Sequence, residues 1–295
     1  MNRLEEGFLL LTSHLGDPAC KVLTIPQLRL LAKAVQASAL GEKNGEVQAE
    51  DLMALGYNRP SAQRIVDLLN REAQLRWYLN KAQKCGCVPI TRISAAYPDR
   101  LRKQLGMEAP GVLWAKGDLA LLTMPKISLV GSRDLRQDNL VFAREVGRQA
   151  ALQGYALVSG NARGADHAAQ ESCLEHGGCV ISVVADTLTE HTPGERLLYL
   201  SEDGFDLAFS SQRALLRNRT IHSLSEKTFV AQCALGKGGT WDGTKRNLRR
   251  NLSDVFCYRD DSDASRELEQ LGATLIGCGD LQDLSALQAK TMKIY

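Results

Sequence analysis

Four segments of this 295-residue sequence combine glycine, hydroxyl and basic side chains, which are the residue types that hold phosphate groups. The first is Gly131-Ser132-Arg133, which directly follows the apolar run 127–130. Gly131 lets the backbone approach an anion, Ser132 offers a hydroxyl, and Arg133 offers a planar guanidinium suited to phosphate. Taken alone, the tripeptide fits an ordinary strand-to-helix turn with an exposed arginine equally well.

A second segment of this kind, 159–166, follows the apolar run 156–158. Two of its glycines bracket an arginine, and the residues expected to contact phosphate or shape the loop are Ser159, Gly160, Asn161, Arg163 and Gly164. Asp166 is expected to shape this loop and to cap a helix that we predict for 166–176. If the two apolar runs are neighbouring parallel strands, both loops lie on one rim of the sheet, where such sheets bind ligands.

The other two segments are basic. The third consists of Arg217, Asn218 and Arg219. Its arginines diverge on a helix, although near a helix start they would reach successive phosphates. In the fourth, Lys245 and Arg246 follow a glycine-rich turn whose lysine precedes its glycines, so the turn is no P-loop. Trp241 either stacks on a base or packs the turn, and a solvated run of charge is the competing interpretation of both segments.

The overall charge is only +2, so bulk charge does not indicate a nucleic-acid-binding protein. The basic residues are concentrated instead, because residues 206–250 contain nine lysines and arginines against three acids, a net of +6. The eight cysteines lie partly in apolar runs with no signal peptide before them, which predicts reduced thiols in a cytoplasmic protein. The sequence has no catalytic triad, metal-ligand spacing or membrane-length apolar run, so we expect no cofactor, no metal and no membrane partner.

From residue 126 onward, apolar runs alternate with helix-period segments, which predicts an α/β fold with a doubly wound, mostly parallel, Rossmann-like sheet. The predicted strands are 127–130, 156–159, 180–184, 207–209, 228–231, 255–257 and 274–276, with a helix at 137–153. Upstream, helix-period segments at 8–14, 25–37, 49–55 and 62–82 predict a small helical domain, SAM-like or helix-hairpin-helix, with Ser61 as a helix cap. An ordinary helical bundle without a ligand is the alternative.

These patterns predict four regions. They are a helical domain at 1–83, a connector packed on the next domain at 84–125, a Rossmann-like domain at 126–285, and a tail without a winged helix at 286–295. The connector contains prolines and glycines, which imply extended segments and turns, together with enough apolar side chains to pack on a neighbour.

In register, the motifs resemble the DprA/Smf family (DNA-processing protein A). The family pattern is a strand ending in Gly-Ser-Arg, then Ser-Gly-x-Ala-x-Gly-[Ile/Val]-Asp, then an Arg-Asn-Arg helix. Here these stand in the same order as Gly131-Ser132-Arg133, 159–166 and 217–219, and the connector with Tyr97-Pro98 also resembles the family. The resemblance covers roughly residues 90 to 260.

The resemblance implies a DNA-binding protein without catalysis, which holds single-stranded DNA in a basic pocket regardless of sequence. It also implies a homodimer that helps load a RecA-type recombinase in DNA uptake or recombination. By position, the phosphate contacts would be Arg133, Arg163, Arg217 and Arg219, and the loop-shaping residues would be Ser132, Gly160 and Gly164.

Departures from the family pattern favour a divergent member and leave two other functions open. Ala165 replaces the usual branched residue, and the turn before Lys245 lacks the family's serine-glycine character. One alternative is a nucleotide-sensing module of the same superfold. The other is a LOG-type nucleoside-monophosphate phosphoribohydrolase, whose Pro-Gly-Gly-x-Gly-Thr-x-x-Glu signature is broken here at Lys237 and Asn247.

Overall fold

A computed structural model describes residues 1–42, 46–202 and 204–289. Within these residues a nine-stranded sheet contains β1 (Val88–Thr91), β2 (Val112–Gly117), β3 (Lys126–Val130), β4 (Ala156–Ser159), β5 (Cys179–Val184), β6 (Leu197–Glu202), β7 (Lys227–Val230), β8 (Asp254–Tyr258) and β9 (Thr274–Ile276). Across the sheet the order is β1-β2-β6-β5-β4-β3-β7-β8-β9. Strands β3 to β9 are parallel, and β2 and β1 continue the β6 edge in antiparallel pairing. The predicted mostly parallel, Rossmann-like α/β fold is confirmed.

Helices cover both faces of this sheet. The helices are α1 (Arg3–Thr12), α2 (Ile25–Gln36), α3 (Ala49–Ala54), α4 (Arg59–Leu69), α5 (Glu72–Lys84), α6 (Asp99–Leu105), α7 (Gln137–Leu152), α8 (Ala165–Glu175), α9 (Ser211–Leu224), α10 (Gly239–Arg250) and α11 (Asp263–Gln270). Alternate side chains of a strand point to opposite faces. Ile127 and Leu129 therefore belong to the core formed with α7 and α8, while Val130 belongs to the core on the other face, to which α6, α9, α10 and α11 contribute.

The direction of winding changes between β3 and β7. The chain runs from β3 outward through β4 and β5 to β6, and then crosses back to place β7 on the other side of β3. A crevice opens at the carboxyl ends of strands that flank such a switch point, and it is the usual ligand site of open α/β sheets.

The N-terminal helices have a small core of their own and a firm attachment to the sheet. Leu52 and Ile65 lie in that core, which α1 to α4 build. Tyr78 of α5 packs edge-on against Trp114 of β2, with ring centroids 5.3 Å apart, and its hydroxyl donates to Asp206 at 2.7 Å. The boundary predicted at residue 83 remains a prediction.

Two details of the predicted helices are wrong. The segment 62–82 is not one helix, because it divides into α4 and α5 at Asn70 and Arg71. The Arg71 guanidinium turns away to donate to the carbonyl oxygens of Leu10 and Ser13. The N-cap of α4 is Asn58 rather than Ser61, since the Asn58 side chain accepts from the backbone N–H of residue 61.

The strand predicted at 207–209 is also wrong, and β6 takes its place in the sheet. Leu197–Glu202 is buried between β5 and β2, as the nearly continuous apolar run of an interior strand requires. The carbonyl oxygens of Leu207 and Ala208 accept instead from the Arg213 guanidinium. Over the described ranges, no helix is long and apolar enough to span a membrane.

Candidate functional site

A cavity of about 600 Å³ lies at the carboxyl edge of the sheet, at the switch point between β3 and β7. We call it the edge cavity. Loop A (131–136) follows β3, loop B (160–164) follows β4, loop C (231–238) follows β7, and α9 closes the remaining side. The charged and polar residues that line it include Ser132, Arg133, Asp166, Arg217, Asn218, His222, Gln232 and Lys237. The structure thus brings the first three predicted segments and the glycine-rich turn of the fourth to one place.

Loops A and B are locked together through glycine. Gly164 has φ +82°, and a Cβ there would lie 2.4 Å from the carbonyl oxygen of Arg133. At Gly131, a Cβ would lie 2.3 Å from the Cβ of Ala165, whose N–H donates to the Ser132 carbonyl at 3.1 Å. Side chains at either glycine would push the loops apart, so both positions require glycine.

Asp166 closes loop B from beneath. It is buried at the second position of α8, whose N-cap is Gly164, and its carboxylate accepts from the backbone N–H of Gly160 at 3.0 Å and Ala162 at 3.3 Å. Burial raises the pKa of this carboxyl, and the positive charge of Arg217 opposes the shift. Its hydrogen bonds therefore shape the loop rather than cap the helix.

Arg217 is the buried cation of the edge cavity. Its side chain lies against Gly160, where a Cβ would come within 1.5 Å of Nη1, and the residue is 8% exposed. Among the described residues, its buried Nε has no hydrogen-bond partner. Burial lowers the pKa of the guanidinium, and the carboxylate of Asp166 opposes the shift. An arginine in such a position stays charged and keeps N–H donors for an anion.

Loop A is held to loop C and to the start of α10 by two residues that sequence reasoning missed. The backbone carbonyl of Gln232 accepts from the Ser132 N–H at 2.9 Å and from its hydroxyl at 3.2 Å. The Thr240 hydroxyl donates to the Gly131 carbonyl at 3.0 Å. Because the Ser132 hydroxyl already donates within the protein, it holds loop A in place and retains only its acceptor capacity toward a ligand.

The other predicted cations of the two loops lie around the opening. Arg133 is exposed and lines both the edge cavity and a side recess of about 200 Å³, which Asn161, Arg163 and Asp186 also line. Lys237 of loop C is exposed on the opposite rim. Cations from loops A and C and from α9 therefore line the edge cavity, and Arg163 of loop B lies in the adjoining side recess.

Several predicted site residues lie elsewhere. Ser159 is buried beneath loop B, where its hydroxyl accepts from Gln170. Arg219, Lys245 and Arg246 line a separate groove beyond α9. Trp241 is 4% exposed and belongs to the core, so it packs the turn and does not offer a face to a base.

Side chains that could hold a metal are not grouped in the described part of the chain, where no cluster of three or more His, Cys, Asp or Glu residues occurs. The cysteines there are free thiols, and Cys173, Cys233 and Cys257 are buried. Burial raises the pKa of the Cys233 thiol to about 12, which keeps that sulfur protonated and unreactive.

The family model of DNA recombination-mediator protein A matches residues 89–280. DNA processing protein DprA of Streptococcus pneumoniae is 31% identical over 194 residues, which cover 61% of this chain and 67% of that protein. Its counterpart in Bacillus subtilis is 29% identical over 163 residues, which cover 52% of this chain and 54% of that protein. The chain thus spans half to two-thirds of the length of these curated relatives.

Solved structures with the same fold cover more of the chain. The X-ray structure of DNA processing protein A from S. pneumoniae matches with a TM-score of 0.68 and 24% identity, over 90% of this chain and 99% of that one. DNA processing protein A from Helicobacter pylori matches with a TM-score of 0.55 and 24% identity, over 66% of this chain and 94% of that one. Since the family model covers well over half of the sequence, the chain belongs to the DNA recombination-mediator protein A (DprA/Smf) family.

Proposed function

We propose that this protein binds single-stranded DNA, independently of base sequence, by holding backbone phosphates in the edge cavity. The observation that carries the proposal is Arg217, a buried guanidinium whose Nε has no partner in the described chain. A buried charged donor without a partner is costly, and an anion that enters the cavity removes this cost. A phosphate would accept from Arg217 while Arg133 approaches from the opening.

The acids around the edge cavity are largely engaged. The Asp166 carboxylate accepts hydrogen bonds from two backbone N–H groups. An oxygen of the Asp186 carboxylate lies 2.9 Å from Nε2 of His191. Asp134 is exposed on the rim. The four cations Arg133, Arg163, Arg217 and Lys237 consequently set the sign of the field at the opening.

The shape of the site favours a single strand over a duplex. A concave volume of about 600 Å³ is in the range of small-ligand pockets, so it admits a nucleotide-sized unit that a single strand can thread in and a duplex cannot. At the opening, Phe209 is 56% exposed and Leu215 is 49% exposed. Such apolar surfaces hold bases by stacking and contact, which is tolerant of sequence.

The relatives support the same function. The matched proteins of S. pneumoniae and B. subtilis are named DNA processing proteins, and the matched structure from H. pylori is described for its single-stranded DNA binding mode. The proposal extends this activity to the present chain through the loops that it shares with the family pattern, Gly131-Ser132-Arg133 above all.

A non-catalytic role is part of the proposal. The phosphoribohydrolase alternative needs a glutamate where this chain has Asn247. Asn247 is fully buried, and its side-chain amide bonds the imidazole of His222 and the hydroxyl of Ser253. A residue so enclosed holds α10 to the sheet and cannot act on a substrate.

The test is a titration of labelled oligo-dT, the matching duplex and a panel of mononucleotides at two salt concentrations. We expect oligo-dT to bind most tightly, with a salt slope of about −0.7 per neutralised phosphate. Arg133→Ala should weaken binding and reduce the salt slope by about 0.7. Arg196→Ala should change neither, because Arg196 directly precedes β6 and lies at the amino end of that strand, opposite the edge cavity. Tight binding of a mononucleotide without oligonucleotide binding would establish the nucleotide-sensing alternative instead, since the cavity volume fits that ligand as well.

Homodimer formation and the loading of a RecA-type recombinase are further parts of the proposal, and they rest on the family resemblance. Sedimentation at micromolar concentration tests the first, and a purely monomeric protein contradicts it. Assembly of a RecA-type filament on protein-coated oligonucleotide tests the second, and an unchanged assembly rate contradicts it.

A further inference from the structure

A second basic groove lies on the other side of α9, between that helix and α10. We call it the helix groove, and its volume is about 610 Å³. Its cationic lining residues are Arg219, Lys245, Arg246, Arg249 and Arg250. Leu215, Leu216 and Leu252 form its apolar walls. Asp242 is the acid among its lining residues in the described chain.

Two of these arginines are already neutralised. Arg219 lies 3.3 Å from the carboxylate of Glu202, and Arg250 lies 2.5 Å from that of Glu108. In contrast, Arg246 and Arg249 are exposed and have no carboxylate within ion-pair distance among the described residues. These two arginines are thus the charges of the helix groove that can neutralise a ligand.

Lys245 has a different environment. Its ammonium group lies 5.4 Å from the centre of the Trp241 ring, and the ring itself is buried. This cation–π contact engages the ammonium group at the wall of the groove. Lys245 therefore adds positive potential to the groove.

The helix groove is adjacent to the edge cavity. Both are lined by Leu215, Asn218 and Gly239, so a single layer of residues separates them. The Asn218 amide donates to the Gly239 carbonyl at 3.1 Å and ties α9 to the start of α10 across that layer. A chain that leaves the edge cavity over this rim enters the helix groove next.

We propose that the helix groove takes the continuation of the same single strand, with Arg246 and Arg249 contacting backbone phosphates beyond the cavity. This inference rests on the proposed function. The shared rim favours a polymer that occupies both sites, and the spacing of three residues places both guanidinium groups on one face of α10. The leucine walls give the bases an apolar surface without any hydrogen-bond readout.

The experiment measures affinity against strand length, using oligo-dT from about 4 to about 16 nucleotides. In the unmodified protein, affinity should rise once as the edge cavity fills and again when the strand reaches the helix groove. The variant Arg246→Gln/Arg249→Gln should keep the first rise and lose the second. On the longest strand its salt slope should fall by about 1.4, because each phosphate contributes about 0.7.

The matched control is Arg59→Gln/Arg196→Gln. It removes two exposed arginines that have no carboxylate within ion-pair distance among the described residues, one at the start of α4 and one before β6. This control should keep both rises. Equal loss on short and long strands in the groove variant would place its arginines in the first site and overturn the inference, as would unchanged binding of long strands. An affinity independent of length in the unmodified protein would also overturn the inference, because the strand would then not reach the groove.

Failure of the proposed function looks different. In that case the unmodified protein binds no oligo-dT of any length, and the first rise is missing as well. Loss of the second rise alone, with a normal first rise, is the outcome that supports the helix groove as part of the DNA path.

Discussion

Arg217 and Arg219 lie two residues apart on α9 and have opposite environments. Arg217 is 8% exposed and lies in the edge cavity against Gly160. Arg219 points to the helix groove, where one of its nitrogens lies 3.3 Å from the carboxylate of Glu202. Both arginines keep a buried Nε without a hydrogen-bond partner among the described residues. They differ because Arg219 has a carboxylate within ion-pair distance there and Arg217 does not, so the guanidinium of Arg217 is the one left to pair with an anionic ligand.

The largest effect should come from removing the charge of Arg217. Arg217→Gln should weaken the binding of a short oligo-dT about a hundredfold, or about 3 kcal/mol, because a charge-assisted hydrogen bond in a buried site is lost. Arg219→Gln should weaken it less than about threefold, since its charge is already paired. Each variant is the control for the other, because both remove one charge from the same helix. Equal losses in the two would remove the distinction between them.

The buried side of α9 should also make stability depend on pH. His222 is fully enclosed beside Asn247, and burial, with a smaller contribution from Arg217, lowers its pKa from about 6.5 to about 4. Between those two pH values His222 binds a proton in the unfolded chain but not in the folded chain. The free energy of unfolding must therefore fall as the pH falls through this window.

We expect a loss of about 2 kcal/mol between about pH 7 and about pH 5 from this one group. Urea unfolding at both pH values measures it. His222→Gln should remove that part of the pH dependence, whatever its own effect on stability. The control is His167→Gln, which changes an exposed histidine of α8 and should leave the pH dependence as it is. If both variants keep the full dependence, His222 is not its source.

The fold was predictable from the sequence where local pattern and tertiary structure agree. Buried parallel strands are apolar throughout and are followed by helix-period segments, so β3, β4, β5, β7, β8 and β9 could be identified. The antiparallel edge could not, because β1 and β2 lie among prolines and glycines and gain their place only by pairing with β6. Strand β6 was missed although 197–200 is a short apolar run, because such a run does not by itself distinguish a strand from other buried structure, and the apolar residues at 207–209 were preferred.

The candidate site was likewise predictable only where residues close in sequence are also close in the structure. Loops A and B come together because β3 and β4 are neighbours in both sequence and sheet. Gln232 and Thr240 were missed since their contacts to loop A join residues about a hundred positions apart. The separation of Lys245 and Arg246 from the edge cavity depends on how α10 packs through Trp241, which no spacing reveals.

The smallest expected effect tests the contrast between the two arginines without changing either of them. Gly160→Ala adds a Cβ that would lie 1.5 Å from Nη1 of Arg217, so the guanidinium must move out of its place. Because only the end of a flexible side chain has to move, the free energy of unfolding should change little, while oligo-dT binding should weaken about tenfold, or about 1.4 kcal/mol.

Gly194→Ala is the matched control, because nothing lies within 4 Å of a Cβ at that position. It should bind oligo-dT like the unmodified protein. Combined with Arg217→Gln, the change at Gly160 should add almost nothing, since the group that it displaces is already gone. Full additivity in this double-mutant cycle would mean that Gly160 affects binding by another route. Unaltered binding by Gly160→Ala alone would mean that the position of the Arg217 guanidinium matters less than its charge. The two arginines of α9 would then differ only in how much each contributes to binding.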